Sequence, residues 1–205
     1  MVGENRNLCP REYTIYHSKK DHGTDYHGGS ALLIRNDTAH SPVMLNTPLE
    51  AVAIQIKLDR VYTVCSLYLS PNDILPCDSL TDLYNQLPKP LLLLGDVNGR
   101  HHFWGEAITN TRGRTFLAWI ESLDLTILNK GDPTHFHVQT GSFSCIDLSM
   151  TSPDAFMDFD WRVLDDLHGS DHFPILVDFN VHDFTERPAK WNFSRANWTL
   201  FLRHD

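Results

Sequence analysis

The run Leu91-Leu92-Leu93-Leu94, set between Pro90 and Gly95, constrains this chain more than any other segment. Four consecutive leucines with no polar residue among them are too short for a buried helix. They read as a strand covered on both faces, which requires a sheet with layers above and below it. The strand ends on Gly95-Asp96-Val97-Asn98, a carboxylate and a carboxamide two residues apart. At strand spacing the two side chains point the same way, and loops leaving such strands are where layered α/β proteins build their sites. An Asx turn that merely closes the strand is the competing reading.

Around this element the chain reads as strand-rich. Ala31 to Ile34 follows a Gly28-Gly29 turn. Ala51 to Leu58 and Val61 to Leu69 form a hairpin across Asp59-Arg60. Further strands are expected at Leu125 to Leu128, Cys145 to Met150 and Ile175 to Phe179. Two amphipathic helices are predicted. One is capped by Asp78 or Ser79, with Leu80, Leu83, Tyr84 and Leu87 inward. The other is capped by Asn110 or Thr111, with Phe116, Trp119, Ile120 and Leu123 inward. The expected architecture is an α/β (α+β) layered sandwich.

Three other segments carry chemistry. In Ser144-Cys145-Ile146-Asp147-Leu148-Ser149-Met150 a single carboxylate stands inside an apolar strand, which is unfavourable without a partner. An arginine or an imidazole would serve, and His172 would make an orienting pair of the hydrolase kind. In Gly169-Ser170-Asp171-His172-Phe173-Pro174 the aspartate can hold a hard cation, and the histidine titrates near neutrality. In Ser66-Leu67-Tyr68-Leu69-Ser70-Pro71 a tyrosine ends a strand before a proline. The plain readings are a polar turn for the second and an aromatic at a sheet edge for the third. His135 and His137 alternate as strand residues do, without a third ligand near them in sequence. His17, His22 and His27 recur every five residues, and His101 and His102 read as loop groups. None of these matches a metal-ligand spacing.

The net charge of −9 argues against phosphate binding by bulk charge, yet clustered carboxylates that hold divalent cations lower the total in the same way. The four cysteines are scattered and form no CxxC pair, which fits a reducing, intracellular setting and neither structural zinc nor a disulfide framework. No stretch approaches the roughly 20 apolar residues of a membrane span, and Met1 to Asn7 lacks the apolar centre of a signal peptide.

The four segments, in this order, resemble the endonuclease/exonuclease/phosphatase superfamily. Asn98-Gly99-Arg100-His101-His102-Phe103-Trp104-Gly105, Asn110-Thr111-Arg112-Gly113, Leu128-Asn129, Pro133-Thr134 and Gly141-Ser142 are similar to the apurinic-like endonuclease domain of jockey-type non-LTR retrotransposons. The resemblance begins at about Tyr13. It implies a DNase I-like fold of two mixed β-sheets flanked by helices, and a Mg²⁺- or Mn²⁺-dependent phosphodiesterase that nicks target DNA. It further implies that Asp96 orients and deprotonates water, beside Asn98, and that His172, oriented by Asp147, meets the scissile phosphate. Tyr68 would bond a phosphate oxygen or the leaving group, and Asp171 would bind the metal. Which of Asp96 and His172 is the general base stays open. Arg100, Arg112, Arg114 and Asn110 are candidates for contact with the DNA, against the plain reading of solvated charges.

The resemblance also implies residues that the chain does not supply. The family opens with a strand bearing an asparagine and another ending in Gln-Glu, and Glu4 lies in no apolar strand. The expectation is an endonuclease domain over residues 1–184 lacking its first strands. A linker or tail over 185–205, with Lys190-Trp191-Asn192-Phe193, would lead toward a reverse transcriptase. The parent element would work with its own RNA in the nucleus. Two alternatives keep the fold: a superfamily phosphomonoesterase, or an inactive transposon-derived remnant.

Overall fold

The computed structural model describes residues 10–18 and 29–180. The strands are β1 (Tyr13–His17), β2 (Ala31–Arg35), β3 (His40–Val43), β4 (Glu50–Lys57), β5 (Val61–Tyr68), β6 (Leu91–Asp96), β7 (Thr126–Ile127), β8 (His135–His137), β9 (Ser142–Ser144), β10 (Asp147–Thr151), β11 (Phe159–Val163) and β12 (Ile175–Phe179). The helices are α1 (Cys77–Asn85) and α2 (Thr111–Ser122). The tail, Glu4, His22 and His27 lie outside the described residues.

A six-stranded mixed sheet in the order β3-β4-β5-β6-β10-β7 forms the middle layer. Only β5 and β6 run parallel, joined through α1; every other neighbouring pair is antiparallel. The leucine strand is covered on both sides, as its sequence demands. Leu91 and Leu93 pack with Leu80, Leu83, Phe116 and Trp119 of the helices. Leu92 and Leu94 face the opposite layer with Ile54, Val64 and Trp161. That layer consists, among the described residues, of two antiparallel ribbons, β1-β2 and β11-β12. The helices therefore line one face of the central sheet and the ribbons the other.

Several boundaries differ from expectation for local reasons. The β4-β5 turn holds three residues, because Lys57 pairs with Val61 and the Leu58 N–H bonds to the Arg60 carbonyl at 2.9 Å. Helix α1 starts two residues earlier than Asp78, and three earlier than Ser79, would place it. Pro76 takes the cap without a side-chain bond, and Asp78 instead sits in the first turn, where a negative charge suits the helix dipole. Asn110 does cap α2, its Oδ1 accepting from the Gly113 N–H at 2.7 Å. Strand β10 begins at Asp147 rather than Cys145. The Cys145 N–H donates to Glu106 Oε1 at 2.7 Å and the Ile146 N–H to Thr134 Oγ1 at 3.2 Å, so side chains replace the ladder there. Strands β1, β3 and β11 are short and half-exposed, and their patterns are too weak to stand out in sequence.

Candidate active site

Strand pairing carries the polar residues to one edge of the central sheet. Asp147, the first residue of β10, lies opposite Asp96, the last of β6. Tyr68, ending β5, is in register with Asp96, and Glu50, opening β4, is in register with Tyr68. Residues two apart share a face, so Asp96 and Asp147 lie on the side of Leu92, Leu94 and Ser149, toward the ribbons. Gly95 makes the packing of this edge feasible: a Cβ there would stand 2.1 Å from the Leu67 carbonyl oxygen. A cleft of about 310 Å³ opens here, bordered by Tyr68, Asp96 and Asp147 on the sheet and by Ser30 and Ile175 from the ribbons.

His172 reaches the Asp96–Asp147 pair from far along the chain. The Phe136 N–H bonds to the Asp171 carbonyl at 2.7 Å and the Phe173 N–H to the Thr134 carbonyl at 2.8 Å. Residues 171–173 are thereby bridged alongside β8, with His135 opposite His172. His172 Nδ1 then meets Asp147 Oδ2 at 2.9 Å. This hydrogen bond orients the ring and raises the His172 pKa above its ordinary value, against the opposing effect of burial. The lone carboxylate of β10 has found the imidazole rather than an arginine. Fully buried Thr134 supports it, its hydroxyl accepting from the Asp147 N–H at 3.1 Å as well as from Ile146. Asn129 latches the strand beyond, donating to the Asp147 carbonyl and accepting from the Ser149 N–H, both at 2.9 Å.

Burial, and then the nearby charge of Asp147, push the Asp96 carboxyl up to about 6. The Asn98 N–H donates to Asp96 Oδ1 at 2.9 Å and works in the other direction. Asn98 adopts a left-handed conformation, φ 49°. The Asp96–Asn98 unit is therefore an Asx turn and not a continuation of the strand. Asn98 Nδ2 donates to the Leu69 carbonyl at 3.2 Å. Tyr68 is half-buried, and burial followed by the charge of Asp96 raises its pKa.

Single ligand atoms of Asp96, Asp147 and His172 lie within 4.8 Å of one another, and so do those of His135, Asp171 and His172. Two facing carboxylates, one of them driven toward protonation by burial and then by the charge of the other, concentrate negative potential that suits a hard divalent cation. Asp171 is exposed, and its Oδ2 lies 3.8 Å from His135 Nε2. His135 is thus a neighbour that sequence spacing did not single out, because the pairing that creates it is tertiary. Glu50, one residue before the apolar run at Ala51, carries no signal of its own in the sequence; its register follows from that of the hairpin.

The arginines divide. Arg112 turns inward: its guanidinium donates to the carbonyls of Val97 at 2.7 Å, Asp73 at 2.7 Å and Leu69 at 3.2 Å. It clamps the loops that bear Asn98 and Tyr68, and those donors are not free for a phosphate. Arg100 pairs with buried Glu106 at 3.3 Å. Among the described residues the Arg114 guanidinium bonds to Thr109 and Thr111 at the surface. Asn110 joins the loop to α2, accepting from the Arg100 N–H at 3.2 Å as well as from Gly113. In the His101–Gly105 segment Trp104 is fully buried and donates to the Gly99 carbonyl, while His102 Nδ1 meets the Glu106 carbonyl at 2.8 Å. No helix of the described residues is long and apolar enough to cross a membrane.

A helix-backed mixed sheet with paired ribbons, carrying an aspartate–histidine pair at its edge, defines a DNase I-like domain of the endonuclease/exonuclease/phosphatase superfamily, a class of hydrolytic nucleases and phosphatases. The profile of the endonuclease-reverse transcriptase family matches residues 62–176, and the chain belongs to that family. It is 28% identical over 173 residues to the RNA-directed DNA polymerase from mobile element jockey of Drosophila melanogaster, covering 80% of this chain and 18% of the relative. Against the probable RNA-directed DNA polymerase from transposon X-element of the same species it is 24% identical, with the same coverage. The chain therefore spans under a fifth of these relatives. Among solved structures, the endonuclease domain of TRAS1, a telomere-specific non-LTR retrotransposon, superposes with a TM-score of 0.71 at 23% identity, covering 84% of this chain and 82% of that one. The Xenopus laevis APE2 catalytic domain gives 0.57 at 16%, covering 83% and 76%. At these identities the structural likeness speaks for the fold.

Proposed function

We propose that the chain is a divalent-metal-dependent DNA endonuclease that nicks one strand of a target for retrotransposition. The observation that carries the proposal is the His172–Asp147 hydrogen bond of 2.9 Å beside Asp96 at the open edge of the sheet. Asp96, with a carboxyl near 6, is poised to accept the proton of the attacking water. The Asn98 N–H keeps that carboxylate oriented. His172, whose positively charged form Asp147 favours, places positive charge where the phosphate oxygens gain negative charge. Tyr68 donates its hydroxyl to a phosphate oxygen or to the departing oxygen, and its raised pKa keeps that proton on. The P–O bond to water forms as the bond to the leaving 3′ or 5′ oxygen breaks; that oxygen takes a proton from solvent, and Asp96 releases to solvent the one it accepted.

Mg²⁺ or Mn²⁺, held by Asp171 with the carboxylates of the cleft, would supply charge neutralisation for the phosphodiester. DNA backbone contacts fall to Arg114, Arg100 and the Asn110 loop, with Arg112 supporting them from behind. In the parent element a reverse transcriptase and the element RNA would use the nick, in the nucleus. The test incubates the purified chain and Mg²⁺ with supercoiled plasmid and, separately, with an inositol phosphate. Relaxed circles that vanish with Asp171→Ala or His172→Ala support the proposal. Phosphate release without nicking would reassign the chain to the phosphomonoesterases, and silence on both substrates would mark an inactive remnant.

A further inference from the structure

We propose that His135, Asp171 and His172 form a second cation position, selective for zinc-class ions, and that an ion there takes His172 out of service and switches the nuclease off. This rests on the reading of His172 as the group that meets the phosphate.

Both imidazoles are already arranged as metal ligands are. Metal-bound histidines ordinarily commit their other ring nitrogen to a neighbouring acceptor or donor that fixes tautomer and orientation. His172 commits Nδ1 to Asp147 at 2.9 Å, and His135 commits Nδ1 to the Ser144 hydroxyl at 3.1 Å. Each is left with Nε2, and that of His135 lies 3.8 Å from Asp171 Oδ2. The two ring centroids are 4.7 Å apart, and one ligand atom from each of the three residues falls within 4.8 Å of the others. Tetrahedral zinc with bonds of about 2.0–2.1 Å needs ligand separations of roughly 3.4 Å, a difference that small side-chain rotations close. The backbone need not move, because the bridge between β8 and residues 171–173 fixes the two histidines opposite each other.

The donor set decides the ion. Two imidazoles and one carboxylate make a three-ligand zinc site with a fourth position open, whereas Mg²⁺ prefers oxygen donors in an octahedron. The Asp96–Asp147 pair is the oxygen-rich position, and His135 stands outside it. The two groups share His172. Once the Nε2 lone pair of His172 is donated to an ion, that nitrogen can present neither a proton nor charge to a phosphate oxygen. His135 is largely covered while Asp171 is 63% exposed, so an ion reaches the position from the Asp171 side.

The test uses the whole chain and two readouts. Co²⁺, a spectroscopic stand-in for zinc, is titrated into the metal-free protein and its ligand-field absorption followed. The wild type develops a tetrahedral-type band, His135→Phe does not, and Ser144→Ala binds about tenfold more weakly, as loss of an outer partner predicts. In the second readout Zn²⁺ is added to Mg²⁺-supported plasmid nicking, each variant being scaled to its own zinc-free rate. Wild-type nicking falls, while His135→Phe holds its rate at the same Zn²⁺ concentration. Equal Co²⁺ spectra and affinities in wild type and His135→Phe, or equal zinc inhibition of both, overturn the proposal. A wild type that never nicks with Mg²⁺ refutes the endonuclease reading and its inhibition together, and the Co²⁺ spectra still decide whether the cation position exists.

Discussion

Replacing Asp96 by asparagine is expected to make the protein more stable while removing its activity. The carboxyl shifts from 3.8 to about 6, and each unit corresponds to about 1.4 kcal/mol, which sets a ceiling of about 3 kcal/mol on the strain of holding this charge in the folded chain. Partial solvent access lowers the expectation to about 2 kcal/mol, or about 4–8 °C in melting temperature for a domain of this size. Because the folded pKa of this acid is raised, the folded state takes up a proton that the unfolded chain has released. The penalty is therefore absent below pH 3.8, grows between there and about 6, and is constant above. Asparagine keeps an oxygen for the Asn98 N–H bond, so the exchange removes charge and little else. The assay is urea or thermal unfolding of both proteins in EDTA at pH 4 and pH 7.5. The gain should appear at pH 7.5, nearly vanish at pH 4, and shrink when Mg²⁺ is added to both. A loss of stability at pH 7.5, or a gain independent of pH, would refute the reasoning.

Other consequences follow from the same contacts. Nicking rate against pH should be bell-shaped. The rising limb belongs to Asp96, at or below about 6 once a cation is bound, and the falling limb to His172, above its ordinary value. Asp147→Asn should move the falling limb to lower pH, since Asp147 is the main reason the His172 pKa is raised. Thr134→Val strands the Ile146 and Asp147 N–H groups in the interior, at about 1–3 kcal/mol each. It should lower both the urea midpoint and kcat. Arg114→Ala should weaken DNA binding and reduce its salt slope by about 1, as measured by fluorescence anisotropy at several salt concentrations. Arg112→Ala should instead lower the unfolding midpoint, because it releases three backbone carbonyls.

The central strand was legible because nothing polar interrupts Leu91 to Leu94, and the structure divides those leucines between the two cores. The Asp147–His172 pair was legible for a related reason, since a carboxylate in an apolar strand needs a partner and an imidazole was on offer. Residues whose role arises from tertiary pairing were not legible. His135 meets His172 only because residues 171–173 lie along β8. Thr134 looks like an ordinary loop threonine until two backbone donors converge on it. Arg112, in the first turn of a surface helix, resembles a solvated charge, yet its long side chain reaches back to three carbonyls. The ribbons β1-β2 and β11-β12 contain short, half-exposed strands whose alternation gains meaning only against the sheet they cover.

A double-mutant cycle on plasmid nicking measures most directly whether Asp147 and His172 work as one group. With Mg²⁺ and supercoiled plasmid, His172→Ala should abolish most of the rate, and adding Asp147→Ala to it should change little further, as for residues that act as a unit. Independent, multiplicative losses from the two substitutions would show that the 2.9 Å contact does not serve catalysis.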